Sequence, residues 1–161
     1  MRSVKTGGWG GLIQALEESV YSIEGMTGGK RMQEYDNTNE SIIHKKNLTF
    51  AQITVQLTRL GEDYSIAVWG GEKPHIGCTV LAIPRLSLTG DGSRSATASV
   101  LNVTGHKDEQ ICRYLAENIA KRTGHVVVCT GGFHMDDATQ EQIREVVKAV
   151  EEIEAEIFRH R

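Results

Sequence analysis

The sequence predicts an α+β fold, with a mixed β-sheet of about five or more strands and two helices on one face. Two observations predict it. Between residues 50 and 103, apolar and polar residues alternate with a period of two, the pattern of half-buried strands. Beyond residue 108, two segments with apolar residues at helical spacing flank one short β-branched segment.

The first 46 residues differ in composition, and we expect them to form an N-terminal extension and linker. Seven of the 17 glycines lie within the first 31 residues, and residues 36–41 are a polar run. Residues 12–23 fit one face of a short helix, but glycine pairs bracket it. We therefore place a single domain at residues 47–161 and leave open whether residues 1–46 fold.

Four of the strands are predicted as two hairpins. Residues 50–58 alternate cleanly, and a turn at Gly61 leads into a second strand at residues 64–68. Residues 78–83 predict a third strand, and a glycine-rich loop joins it to a fourth at residues 94–103.

The C-terminal part predicts a helix, a strand and a second helix. Asp108 is the expected N-cap of the first helix, which carries apolar residues at every fourth position and ends near Gly124. Residues 125–129 predict a short buried strand. The last helix begins at Asp137 or Thr139 and has one apolar stripe, formed by Ile143, Val146, Val147, Val150, Ile153 and Ile157.

Charge and composition exclude several classes of partner. With 18 Lys and Arg against 21 Asp and Glu, the net charge of -3 creates no field that recruits nucleic acid or an anionic membrane. No apolar run approaches the roughly 20 residues of a bilayer span, and no stretch resembles a signal peptide, so we expect a cytoplasmic protein. Cys78, Cys112 and Cys129 lack zinc or disulfide spacing, and we expect buried thiols.

Strand direction brings three loops to one edge of the sheet, here called edge A. If the first predicted strand starts at edge A, the second and fourth end there. The first helix is a crossover that brings the fifth strand back parallel to the fourth, so the fifth strand ends at edge A as well. The three loops carry His75, His106 and His134, each with at least one glycine nearby.

Three histidines at corresponding places predict a metal site. Neutral imidazoles are good ligands for Zn²⁺ or a similar ion, and three of them leave positions for a further ligand. We expect His75, His106 and His134 to converge on one divalent metal, with Asp136 orienting a ring from outside. The alternatives are that each histidine is an ordinary surface residue and that Asp136 only caps the last helix.

The same edge suits an anion. Both helices begin there, so their N–H groups and positive dipole ends point toward the site, and Lys73 and Lys107 add charge. Pro74 stiffens the first loop, and tight turns or close approach of a ligand are permitted at Gly71, Gly77, Gly105 and Gly132. Nucleophile-elbow and phosphate-loop motifs are absent from the predicted domain, so any catalysis would be metal-assisted, with Glu72 or Asp136 as base.

Three motifs, taken in order, resemble one family: Gly70-Gly71-x-x-Pro74-His75-Ile76-Gly77, Gly105-His106-Lys107 and Gly132-x-His134-x-Asp136-x-Ala138-Thr139. They resemble the LpdD-like prenylated flavin chaperones, the D subunits of gallate and hydroxybenzoate decarboxylases, from about residue 47 to residue 155. The resemblance implies a fold like that of proteasome-assembly chaperones and a homodimer. It also implies a non-enzymatic accessory protein that binds prenylated FMN, or FMN, for a UbiD-type decarboxylase.

The resemblance also implies how the site is used. It puts the three histidines in the family's histidine positions, where we expect a divalent metal to meet the flavin phosphate. A flavin prenyltransferase is a further candidate partner. Trp69 and Phe133 are candidates for stacking on the isoalloxazine, although both also suit ordinary packing. Two other classes stay open: a small zinc-dependent hydrolase that uses the same histidines, and an interaction module without a ligand.

Overall fold

The computed structural model describes residues 40–159, so most of the expected extension, including the short helix at residues 12–23, lies outside the described residues. The described chain forms a mixed sheet and two helices, and the predicted α+β class is confirmed. The strands are β1 (Ser41–Asn47), β2 (Gln52–Leu60), β3 (Asp63–Gly71), β4 (Cys78–Leu86), β5 (Arg94–Asn102) and β6 (Val127–His134). The helices are α1 (Glu109–Thr123) and α2 (Gln140–Arg159).

Strand β1 is the main difference from the expected elements. It lies within the stretch assigned to the linker, yet it pairs antiparallel with β2 from Ser41 opposite Thr58 to Asn47 opposite Gln52. Most of its side chains are exposed, and its second half is polar or charged. An edge strand of this kind lacks the buried alternating pattern by which sequence reasoning recognises a strand.

The sheet order is β1-β2-β3-β6-β4-β5. Strand β6 runs parallel to β3 and antiparallel to β4, and the remaining neighbours are antiparallel. Consequently β3, β5 and β6 run in the same direction and end at edge A, as the sequence predicted. The crossover through α1 inserts β6 into the centre of the sheet, which explains its apolar, β-branched start.

The core lies between one face of the sheet and the two helices. Helix α1 packs on β4, β5 and β6, while α2 packs on β1 and β2 and against α1. Fully buried side chains include Ile53, Ile66, Leu115, Ile119 and Ile153. Burial of each such side chain stabilises the fold by about 1.5–3 kcal/mol, so these contacts fix the strand ends that carry the site.

The three cysteines are buried in the core, as expected, and each is a free thiol. Cys78 lies in β4, Cys112 in α1 and Cys129 in β6. Burial raises the pKa of Cys78, and a hydrogen bond with Cys129 together with burial raises the pKa of Cys112, so both thiols are uncharged at neutral pH. Of the helices in the described part of the chain, neither has the length and apolar character needed to cross a membrane.

Candidate functional site

Edge A gathers the segments that carry the predicted histidines. The loop after β3 contains His75, the loop after β5 contains His106, and β6 ends at His134. The first two loops are tied to the sheet by backbone hydrogen bonds, from Gly77 N–H to Gly131 O at 3.0 Å and from Val103 N–H to Gly77 O at 2.8 Å. The histidine-bearing backbone is thereby fixed to the end of the central strand.

Two of the histidines meet a carboxylate that the sequence analysis assigned elsewhere. Nε2 of His75 lies 3.1 Å, and Nδ1 of His106 lies 3.5 Å, from Oδ2 of Asp108. These three donor atoms all lie within 4.8 Å of one another, the spacing of ligands around one metal ion. We call His75, His106 and Asp108 the His/Asp cluster.

The ring of His75 makes a polar contact at each of its two nitrogens. Nδ1 of this ring is 3.0 Å from the carbonyl oxygen of Lys73, which can only accept, so Nδ1 carries the hydrogen. In the neutral ring Nε2 then has a lone pair, and that lone pair faces an acceptor-only oxygen of Asp108. The contact is favourable only if Nε2 is also protonated or if a cation lies between the two groups. A divalent metal satisfies the second condition with both groups as ligands.

Two glycines leave the space in which the cluster forms. A Cβ on Gly77 would lie 1.8 Å from Oδ2 of Asp108 and 2.9 Å from Nε2 of His75. A Cβ on Gly132 would lie 2.8 Å from each of the same two atoms. Any larger residue at either position would push the carboxylate or the ring aside. Both glycines are thus required by the side chains of the cluster.

Asp108 is the N-cap residue of α1, as expected, but its side chain does not cap the helix. At the helix start, the backbone carbonyl of Asp108 accepts from Cys112 N–H at 3.3 Å, and the side chain makes no capping hydrogen bond. Oδ1 instead accepts the backbone N–H of Phe133 at 2.8 Å, and Oδ2 faces the histidines. With 8% of its surface exposed, this carboxylate is more deeply buried than the two rings. The sequence signal for it was the spacing His106-x-Asp108.

His134 lies beside the cluster without sharing its carboxylate. Its ring centre is 5.7 Å from that of His75, and its Nε2–H donates to Oδ1 of Asp136 at 2.8 Å. Oδ2 of Asp136 accepts from Nζ of Lys73 at 3.1 Å. These two contacts, that with His134 first, lower the pKa of Asp136. The structure therefore brings two of the three predicted histidines together with Asp108 and places the third in a neighbouring ion pair.

The remaining predicted residues lie either near the His/Asp cluster or near the ion pair of His134 and Asp136. Gly71 has a positive φ of 77° opposite His134, and Gly105 has a φ of 85° in the turn before His106. Pro74 is exposed between Lys73 and His75. The carboxylate of Glu72 accepts the backbone N–H of Asp136 at 3.4 Å, so this candidate base belongs to the ion pair.

The two aromatic candidates lie on opposite faces of the sheet. Trp69 is opposite Gly132 in the β3–β6 register and shares its face, which the helices leave uncovered. Phe133, one residue further along β6, is on the helix side, where its ring meets Phe50 edge to face at 6.1 Å. One flat ligand cannot stack on both rings.

A cavity of about 550 Å³ opens next to the cluster, between the starts of α1 and α2. His106, Lys107 and Asp108 form part of its wall. Most of the remaining wall is apolar, and its members include Phe50, Ile111, Phe133, Ile143, Val146 and Val147. The size lies within the range of small-molecule sites. The wall combines the charged residues of the cluster with this apolar part and with further polar side chains, those of Gln110, His134, Gln140 and Gln142.

Together, the fold and the cluster define a small α+β domain in which two histidines and one aspartate, residue types that ligate metals, adjoin a cavity at one sheet edge. The family model of the prenylated flavin chaperone LpdD-like domain matches residues 48–160, and the chain belongs to this family. The family predicted from the three motifs is thereby confirmed.

A chain in the crystal structure of a chaperone complex for yeast 20S proteasome assembly is similar to this chain at 13% identity, with a TM-score of 0.45. The similarity covers 71% of this chain and 91% of that chain. A search of the curated proteins finds no match.

Proposed function

We propose that this protein carries prenylated FMN and that the His/Asp cluster binds a divalent metal that holds the flavin phosphate. Membership of the family supports flavin binding. The observation that carries the metal is the convergence of His75, His106 and the buried carboxylate of Asp108, whose ligand atoms all lie within 4.8 Å of one another.

The donor set fits such an ion. Two imidazole nitrogens and one carboxylate oxygen suit Zn²⁺, Mn²⁺ or Fe²⁺ and leave coordination positions open for an anion. The surrounding backbone fixes the ligands, since Lys73 O orients the ring of His75 and Phe133 N–H holds Asp108. When bound, the metal would supply the positive charge that attracts a phosphate.

Two features of the chain itself would help to hold the phosphate. Helix α1 begins directly after Asp108, and the positive end of its dipole favours an anion. Lys107, which also lines the cavity, adds a positive charge that can pair with phosphate oxygens.

An accessory role agrees with the chemistry around the cluster. All three cysteines are buried, and the raised pKa values of Cys78 and Cys112 keep these two thiols protonated, which makes them poor nucleophiles. Of the candidate bases, Glu72 accepts the backbone N–H of Asp136 through its carboxylate, and the carboxylate of Asp136 accepts from Nζ of Lys73. We infer that the protein binds and releases its cargo without converting it. The receiver would be a UbiD-type decarboxylase and the supplier a flavin prenyltransferase, in the cytoplasm.

A homodimer is part of the proposal. The sheet face that the helices leave uncovered exposes Leu81, Ile83 and Leu101 by 41%, 50% and 76%. Exposed apolar side chains that share one face are typical of a protein interface, and a second copy could cover them through a two-fold contact. Light scattering should give twice the monomer mass at micromolar concentration, and the monomer mass would contradict the dimer.

The test of the proposed function is co-expression without a His tag together with a flavin prenyltransferase, followed by anaerobic purification. We expect stoichiometric divalent metal by elemental analysis, and prenylated FMN in the absorption and mass spectra. The absence of both flavins from metal-loaded protein would contradict the carrier role. Turnover of simple esters or phosphates by the same preparation would instead favour a zinc-dependent hydrolase, which could use the same donor set.

A further inference from the structure

The cavity beside the His/Asp cluster has an apolar wall that the binding of an anion does not require. A phosphate needs only the metal, Lys107 and the start of α1, yet the cavity is also lined by Ile143, Val146 and Val147 from the apolar stripe of α2. Ile143, in the first turns of that helix, lines the cavity and is 41% exposed, whereas Val146 nearby is 7% exposed. The apolar wall thus has free surface next to a charged end.

Phe133 contacts both the His/Asp cluster and the apolar part of the cavity wall. Its backbone N–H fixes the carboxylate of Asp108, and its ring lines the apolar part and packs edge to face on Phe50. The distance between the metal ligands and the apolar wall is therefore set by a single residue in the central strand. A ligand with an anionic end and a rigid apolar end would contact both at once.

We propose that this cavity holds the ring end of the flavin, and that its aliphatic wall at Ile143 and Val147 selects the prenylated form. The inference rests on the proposed function. The phosphate is common to FMN and prenylated FMN, so a metal that binds phosphate cannot distinguish them. Selection requires contact with the added apolar carbons, and burial of each methylene is worth about fourfold in affinity.

The cavity wall is on the helix side of the sheet, and this bears on Trp69, the other candidate for stacking on the flavin. Trp69 lies on the uncovered face, the face from which Gly132 meets the cluster, and it is not among the residues that line the cavity. Phe50 and Phe133, which line the cavity, provide flat apolar surface on the side that also holds His106 and Lys107. Aromatic contact with the ring system is therefore assigned to Phe50 and Phe133.

The test compares the affinities of FMN and reduced prenylated FMN, measured anaerobically by fluorescence and absorption titration on metal-loaded protein. The variant Ile143→Gln/Val147→Gln makes the wall polar at one exposed and one half-buried helix position, with little change in volume. We expect the preference for prenylated FMN to fall at least tenfold, while bound Mn²⁺ and the affinity for inorganic phosphate stay the same. The matched control is Arg144→Gln, an exposed neighbour on α2 outside the cavity wall.

A second variant, Val147→Phe, fills the cavity instead of making it polar, and the thermal unfolding midpoint of each variant checks that it folds. A reduced preference in the folded variants supports the assignment. An unchanged preference in either folded variant overturns it while leaving the carrier role intact. If metal-loaded wild-type protein binds neither flavin, the proposed function itself fails, so the two failures are distinguishable.

Discussion

Edge A carries two imidazole–carboxylate groups that differ in burial and in charge balance. In the His/Asp cluster, the carboxylate of Asp108 is 8% exposed and faces two rings, and no lysine or arginine between residues 40 and 159 forms an ion pair with it. In the neighbouring pair, the side chain of Asp136 is 62% exposed and is bonded to both His134 and Lys73. The exposed pair is already neutralised by its own lysine. The buried cluster has three converging ligand atoms and no such lysine among the described residues, and this makes it the better metal site.

The comparison is tested most strongly by Asp108→Ala. This change removes the buried ligand, and we expect the affinity for divalent metal to fall by more than about 100-fold, because even partners that only orient a ligand are worth about 10–100-fold. The matched change in the exposed pair, Asp136→Ala, should leave metal affinity within about tenfold of wild type. Isothermal titration with Mn²⁺ or Zn²⁺ measures both. Equal losses in the two variants would erase the distinction between the groups.

The space around the cluster is tested by Gly77→Ala. The added Cβ would displace the Asp108 carboxylate, so we expect metal affinity to fall by about 10–100-fold and the unfolding midpoint to drop. Gly90→Ala is the control, since no atom lies within 4 Å of its Cβ position and its positive φ costs only local backbone strain. Wild-type metal affinity in Gly77→Ala would show that Oδ2 of Asp108 is not a ligand.

His134 distinguishes the structure from the three-histidine site predicted from the sequence. That site requires His75→Ala, His106→Ala and His134→Ala to abolish metal binding alike. From the geometry we expect the first two to do so and His134→Ala to reduce affinity by less than about tenfold, since its Nε2 is bonded to Asp136. Elemental analysis after dialysis gives the answer. Complete loss of metal from His134→Ala would restore the three-histidine site.

The smallest expected effect is on the titration of Asp136. Its pKa is lowered mainly by the hydrogen bond from His134 and next by Lys73, so the carboxylate stays charged below the ordinary Asp range. The stability that the pair contributes is present above the unfolded-state pKa of Asp136 and is lost as the pH falls through the lowered folded-state pKa. In Lys73→Ala, carboxyl NMR should show the pKa of Asp136 move back toward the ordinary value. A pKa that does not move would show that the ion pair does not form in solution.

Much of this arrangement could be predicted from the sequence because strand direction depends only on the number of reversals along the chain. Two hairpins and one crossover place His75, His106 and His134 at edge A whatever the order of the strands. The role of Asp108 could not be predicted in the same way. An aspartate before a helix is most often a cap, and only the approach of β6 at Gly132 shows that its carboxylate is turned toward the histidines.

The local sequence pattern also could not predict whether Trp69 and Phe133 lie on the same face of the sheet. Each residue fits the alternation of its own strand. Whether the two side chains lie on the same face of the sheet depends on the β3–β6 register. Strand β1 was missed for a related reason, since an edge strand with exposed lysines resembles a linker in composition. Residues whose role depends on pairing between distant segments are those that required the structure.

The central claim is that the metal at the His/Asp cluster is what holds the flavin phosphate. The most direct test is an anaerobic titration of prenylated FMN into the full-length protein, once after removal of metal with a chelator and once after reloading with Mn²⁺ or Zn²⁺. We predict that the metal raises the affinity for the flavin at least tenfold and that Asp108→Ala abolishes this increase. Equal affinity in the metal-free and metal-loaded protein would contradict the claim.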